Sequence, residues 1–422
     1  MRLKRTFLAF ARSKRGNVIV AAAASLPVVI GSAGLATDTL EWTLWKRQLQ
    51  RQADSAALSG AFALAQGKNH VTSVNGDIAR TAELTLTATP VIESPPTTGA
   101  GTGNTSAVRV ALQTGRSLPF SSLFVSTAPT IKAESTAAVV NNGNYCLIAL
   151  EPTTAVGITM SGNATVNMGC GMATNSKSSN AVYVNGSSTI TATPIAAVGT
   201  VVPNSNYTGT TVFKSHQVPQ KDPFASLPDP DISTLNCQSL SVSPNGNKSL
   251  TSTSNPATAT CLKNVDVKGT LTLGPGIYYV DGGSFNVGSQ AVISGTGVTI
   301  ILTSKTAASD PSSIATMSMN GGAQINLSAP TTGTYAGVIM YQDRRALDVA
   351  SNTVNGNSSS FYQGALYFPK QQLTFNGTTG MSTDCLQMVG RRVVFLGNSS
   401  ISNVCPTGGP HSFTGTAVRL IG

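Results

Sequence analysis

Asp343-Arg344-Arg345 sets one acid beside two bases. Such a trio is able to hold an anionic sugar, so it is the first place to look for hydrolytic chemistry. Neighbouring residues on a strand point to opposite faces, so only Asp343 and Arg345 can share one. Glycoside hydrolysis ordinarily needs two carboxylates facing one bond. The chain offers few: no Glu follows Glu151, and from Cys261 onward the acids are Asp266, Asp281, Asp310, Asp343, Asp348 and Asp384. There is no Gly-x-Ser-x-Gly elbow and no phosphate-cradling Gly-x-x-x-x-Gly-Lys-Ser/Thr loop. His70, His216 and His411 lie far apart, and no Cys-x-x-Cys accompanies them. The Asp343 trio therefore reads as a surface salt bridge at a strand end. No catalytic residue, metal or cofactor is expected.

The cysteines carry a firmer signal. Cys146 and Cys170 are 24 residues apart, Cys237 and Cys261 again 24, and Cys385 and Cys405 20. From Cys146 onward a Gly in a polar turn is followed four residues later by an aliphatic residue or Met. The pairs are Gly162/Val166, Gly186/Ile190, Gly288/Val292, Gly321/Ile325, Gly377/Met381 and Gly397/Ile401. Flanking residues alternate, as in Val166/Met168, Val298/Ile300/Leu302, Ile325/Leu327 and Leu373/Phe375. Cys170, Cys385 and Cys405 each lie eight residues after one of these glycines. Self-similarity at this period marks a solenoid of stacked units. Stacked strands lie about 4.8 Å apart, within the Cα range of a disulfide. The phase thus pairs the cysteines sequentially: Cys146–Cys170, Cys237–Cys261 and Cys385–Cys405. An even cysteine count suits an oxidising compartment.

These residues need elements to carry them. Short strands between polar turns predict a β-solenoid, parallel β-helix-like, over residues 141–422; a β-sandwich with frequent glycine turns is the alternative. Residues 201–261 break the repeat with Pro203, Pro219, Pro223, Pro228 and Pro230 and read as an inserted loop ending at Cys237–Cys261. Before the repeat, runs such as Leu84/Leu86, Val108/Val110 and Ile131 to Val140 predict a small β-region.

The N-terminus supplies the only long apolar stretch. Asn17 to Thr37 carries no charge. As a helix it is about 31 Å long, the thickness of a bilayer's hydrocarbon core. Arg2, Lys4, Arg5, Arg12, Lys14 and Arg15 precede it, while Asp38 and Glu41 follow it. That asymmetry predicts a cytoplasmic basic tail over 1–16, a transmembrane helix over 17–37 and export of the rest. Pro27 sits mid-span. Gly34-Leu35-Ala36 also fits a signal cleavage site, which would release the remainder. Beyond the span, Trp42, Trp45, Leu49, Ala53, Ala56, Gly60 and Leu64 recur at helical spacing, and Lys46, Arg47, Gln50 and Arg51 fall off that face. One long helix over 17–66 is the simplest description. Its second half packs either on its own module or on partner helices. The formal charge of +10 is concentrated in the first 51 residues, where it sets topology. No basic stripe is interleaved with aromatics, so nucleic acid is not an expected partner.

Residues 12–66 resemble the N-terminal module of the TadE/TadG-like proteins of Flp (tight-adherence, Tad) pilus assembly. The resemblance rests on Arg15-Gly16, the small-residue span with Pro27, Gly34 with Asp38, and Lys46-Arg47-Gln48-Leu49-Gln50 through Ala53-Asp54 to Ala56-Ala57-Leu58-Ser59-Gly60-Ala61. Ala21 stands five residues after Gly16, where pilins and TadE-like pseudopilins carry Glu. The TadG-like branch, expected to keep its anchor, fits this chain more closely. The stretches 274–303 and 337–343 look like the β-rich C-terminal regions of TadG-like proteins. No von Willebrand-type Asp-x-Ser-x-Ser motif occurs.

The resemblance implies a single-pass, non-enzymatic inner-membrane protein. Its N-terminus would be cytoplasmic, its module over 38–140 pilin-like, and its C-terminal domain periplasmic or surface-exposed. Its partners would be the membrane and other Tad/Flp proteins. A Ser/Thr/Asn-rich, charge-poor face also suits cell-surface glycans. An exported β-helix that binds or cleaves polysaccharide and an adhesin released near Ala36 are the competing readings.

Overall fold

The computed structural model describes residues 17–376, 381–404 and 412–422. The basic tail, Gly16, Gly377, Cys405 and His411 lie outside the described residues. The protein is mainly β, with one long apolar helix near the N-terminus. It divides into two compact units, Met1–Val140 with Val418–Gly422, and Asn141–Ala417.

In the first unit, α1 (Asn17–Ala65) is a single helix of 49 residues that runs through Pro27. Its first half is largely exposed, including Val18, Leu26, Val29 and Leu35, and is covered only near Gly34 and Asp38. The second half buries Leu49, Ala53, Ala56, Ala57 and Ala61 against Val74, Ile78, Val108, Val110, Leu112 and Ile131. Small residues dominate this face because the backbones approach closely. A Cβ added at Gly60 would stand 2.7 Å from Val74 Cγ2. Helix α2 (His70–Arg80) begins where the Asn69 side chain accepts from Thr72 N at 3.1 Å, an ordinary N-cap. The strand Ala107–Gly115 buries alternate residues and pairs antiparallel with the first part of Thr130–Ala149, from Ala107↔Ala138 to Gly115↔Thr130. Val91–Glu93 adds an edge strand.

In the second unit the named ladders are all parallel, and they close around one apolar core. One ladder passes through Cys237–Val242, Thr260–Val267, Gly276–Asp281, Val298–Thr303, Val338–Gln342, Phe361–Asn376 and Leu386–Leu396. It then continues into the end of Thr130–Ala149, Gly171–Thr174, Ile195–Ala197 and Phe213–Lys214. Stacking order is therefore not chain order. The last long strand pairs with the first, Met388↔Leu147 and Val389↔Ile148.

Three of the glycine turns, at Gly397, Gly162 and Gly186, lie one on the next. Ile401, Val166 and Ile190 are register partners in successive strands and fill the core. Gly162, Gly186 and Gly397 have φ of +84°, +69° and +63°. A Cβ on Gly162 would lie 3.0 Å from Gly397 O, and one on Gly186 2.8 Å from Gly162 O. Glycine is required twice there, by dihedral and by close approach. One pair is out of phase: Ile293, not Val292, faces the core after Gly288.

Two disulfides tie neighbouring segments of the ladder: Cys146 in Thr130–Ala149 to Cys170, the residue before Gly171–Thr174 (Cα–Cα 5.9 Å), and Cys237 to Cys261 (4.4 Å). Cys237 and Cys261 are direct register partners. Cys385 is buried, and its expected partner Cys405 lies outside the described residues.

The stretch 201–261 is not one inserted loop. It contributes Phe213–Lys214, Cys237–Val242 and Asn247–Leu250 to the ladders. The longest stretch between these strands is residues 215–236. They form a strap along an outer face on which Cys261, Tyr279, Ile301, Tyr341, Tyr367 and Val389 follow one another in register. Burial on both faces is why Val298–Thr303 and Val338–Gln342 are buried throughout and carry consecutive apolar residues, Ile300-Ile301-Leu302 and Val338-Ile339-Met340, rather than strict alternation.

Candidate functional site

The residues expected to offer a helix-packing surface divide into two groups. Leu49, Ala53, Ala56 and Gly60 are fully covered within their own unit, and Trp45 and Leu64 pack against the same core. That stripe is spent on the fold, which corrects the reading in which it packs on partner helices. Trp42 stays exposed. Off the stripe, Lys46 donates to Lys132 O, and Gln50 to Glu134 O at 2.8 Å. The unpartnered face of α1 lies N-terminal to these residues, over the uncharged span. All three hydroxyls in that span donate back to helix carbonyls: Ser25 to Ala22, Ser32 to Val29 and Thr37 to Gly34. The span thus presents apolar side chains and internally satisfied polar groups, as lipid requires.

Asp38 is the first charge after the span. Its carboxylate is buried and accepts from the amides of Phe120 (2.9 Å) and Ser121 (2.6 Å) and from the Ser121 hydroxyl. Burial alone would raise its pKa, but these donors outweigh it and hold the carboxyl below its ordinary value. Sequence alone assigned Asp38 only a topological role.

Asp343, Arg344 and Arg345 clamp the strap. Asp343 is not at the surface, which corrects the expectation from sequence: it is fully buried beneath the strap and accepts from Thr303 Oγ1 at 2.7 Å and from Arg345 Nη2 at 2.6 Å. Arg345 NH2 also reaches Pro230 O at 2.7 Å. Arg344 donates to Phe224 O and Ala225 O on the strap. The bond to Asp343 raises the Arg345 pKa. Nearby, Tyr367 donates to Asp222 at 2.6 Å, and Phe224 packs on Tyr367 at 5.1 Å between centroids. Every charge of the trio therefore has a partner inside the protein, where a sugar would have to displace strap backbone.

A second charged cluster escaped the sequence reading. Glu151 is fully buried and accepts from Arg391 Nε at 3.0 Å, Arg392 NH1 at 2.7 Å and Thr153 Oγ1 at 2.7 Å. Arg392 NH1 also donates to Asp348 at 2.9 Å. Burial pushes the Glu151 carboxyl up, yet the bonds from Thr153 and both arginines prevail and hold it at about 2. Glu151 is ionised at neutral pH, so it does not serve as a general acid. The cluster sits where Leu386–Leu396 meets the end of Thr130–Ala149, the first strand of the unit, and 240 residues of chain separate its partners. The only local hint is Arg391-Arg392 inside an apolar run.

The outer face of another ladder is polar. Asp266, Asn286, Ser318, Thr353 and Thr374 are register partners in successive strands, spaced about 4.8 Å apart. With Asn320, Asn355 and Asn376, the first four line an open groove of about 770 Å³. Among the described residues, no group of three or more His, Cys, Asp or Glu gathers as a metal site. No family model, curated protein or solved structure matches this chain.

Proposed function

We propose that the protein is a single-pass envelope protein of the Flp/Tad pilus system, acting by contact rather than by chemistry. Helix α1 anchors it in the inner membrane with the N-terminus cytoplasmic, and the second unit projects into the periplasm or beyond as a β-helix-like body. The observation that carries this reading is the division of α1. One continuous helix is largely exposed and uncharged over 17–37, then docks by small residues onto an antiparallel sheet, the arrangement expected of a pilin-like module. Parallel ladders, stacked glycine turns and two disulfides between neighbouring segments, one of them in register, support the β-helix reading and an oxidising compartment. Because the Leu49-to-Gly60 stripe is covered, contacts with other pilus proteins fall to the exposed face of α1 around Trp42 and to the second unit. Deletion of the gene is expected to abolish or reduce pilus assembly and surface attachment. A deletion strain that piliates and attaches normally contradicts the proposal.

The polar groove favours a second reading, the binding of an extended polysaccharide through the Asn286–Ser318–Thr353 line. Glycan-array binding by the full chain that is lost in Asn286→Ala would promote it.

A further inference from the structure

We propose that residues 117–129 form a second membrane contact, an apolar loop seated in the interfacial layer of the bilayer that α1 crosses. This rests on the anchor reading above.

No charged residue occurs from Ser117 to Ile131. Leu123, Phe124 and Val125 are consecutive and 73%, 75% and 52% exposed. Single exposed apolar residues are ordinary, but a contiguous apolar tip calls for a partner. Two attachments set the height of the loop on α1. At its start, the Arg116 guanidinium lies 4.9 Å over the Trp45 ring. Further along, Asp38 holds the amides of Phe120 and Ser121, and the Phe120 ring presses on Gly34. A Cβ at Gly34 would fall 2.2 Å from that ring. From Trp45 to Gly34 the helix rises about 16 Å. The loop thus runs back along α1 to a level inside the uncharged span. There the short turn Ser121–Leu123 presents Leu123 and Phe124, and the Phe124 ring packs edge-on to Phe120 at 5.4 Å.

The loop's polar groups identify lipid as the occupant. The amides of Ser122, Leu123, Phe124 and Val125 donate to Leu118, Phe120, Ser121 and Ser121 carbonyls. The Ser121 hydroxyl goes to Asp38, and that of Ser122 to Pro119 O at 3.0 Å. A protein-docking loop would offer polar groups at its rim. From Ser121 to Val125 they are consumed internally, the condition for contact with hydrocarbon, while Ser126 and Thr127, which follow the tip, are exposed and suit the wet headgroup layer. On α1 itself Leu35 is exposed beside Gly34 in sequence, and Trp42, also exposed, follows where a membrane–water interface would fall.

The test places single tryptophan reporters in the full chain carrying Trp42→Phe and Trp45→Phe. The chain is reconstituted in vesicles of phosphatidylethanolamine and phosphatidylglycerol with acyl-brominated lipid. Phe124→Trp and, separately, Leu123→Trp should show blue-shifted emission quenched most by bromine near the glycerol end of the chains. Gly34→Val added to Phe124→Trp should dislodge the loop and shift emission to the red. Val28→Trp reports the anchor and Thr102→Trp an aqueous position. If Val28→Trp is quenched while both loop reporters behave like Thr102→Trp, the inference falls and the anchor stands. Loop reporters shielded from both bromolipid and iodide would indicate a protein cover and equally overturn it. If Val28→Trp is not quenched, the anchor reading fails and the inference with it.

Discussion

Replacing Glu151 by Gln keeps the shape of the side chain and removes its charge from the junction of Leu386–Leu396 with the end of Thr130–Ala149. Arg391 and Arg392 then face a neutral amide, with only Asp348 left to compensate. The carboxyl sits at about 2 in place of an ordinary 4.5. At 1.36 kcal/mol per unit, the gap is worth about 3 kcal/mol. Breaking other buried ion pairs costs a similar amount. Because the folded-state value is depressed, the stabilisation is complete above the ordinary glutamate range. It declines as pH falls below about 4.5 and is gone below about 2. Thermal unfolding of the full chain in detergent should therefore show Glu151→Gln melting about 6 °C below wild type near neutral pH. The deficit should shrink steadily in acid. Equal stability at neutral pH, or a deficit undiminished at about pH 2, would refute the assignment of this cluster as the joint.

Three further outcomes follow from the same structure. Arg345→Ala leaves Asp343 buried without its main partner, at a cost of about 3–5 kcal/mol, and frees the strap; limited trypsinolysis should then cut at Lys221 much faster than in wild type. Gly162→Val demands both a forbidden dihedral and displacement of the Gly397 backbone, and should lower stability by about 2 kcal/mol or more without altering disulfide pairing in non-reducing peptide maps. Leu49→Ala opens a cavity in the first unit and should cost about 2–5 kcal/mol there; hydrogen exchange should rise in Ala107–Gly115 and stay unchanged around Leu271 and Ile325.

What could be read in the sequence was local or periodic. The uncharged span, the glycine turns at Gly162, Gly186 and Gly397, and the spacing of Cys146–Cys170 and Cys237–Cys261 each repeat a pattern set by backbone geometry. Their structural counterparts are a 49-residue helix, a stack of positive-φ glycines and two bridges between neighbouring segments. The stacking order was hidden. Val166 and Ile401 are register partners, but 235 residues separate them and neither names the other. The strap was hidden for a related reason. Unbroken apolar runs such as Ile300-Ile301-Leu302 announce burial on both faces, but nothing in them says which segment provides the cover. Prolines in 215–236 obscured its role further, because an extended segment bound by side-chain clamps has no period of its own. Asp38, Glu151 and Asp343 were visible as charges, yet their partners lie 83, 240 and 2 residues away, and only the last pair shares a local motif.

The central claim is that α1 remains in the membrane as the anchor of the exported units. N-terminal sequencing of the protein recovered from the membrane fraction of its native cell tests it most directly. The account predicts a mature chain that still contains residues 17–37; a chain that begins just after Ala36 would contradict it.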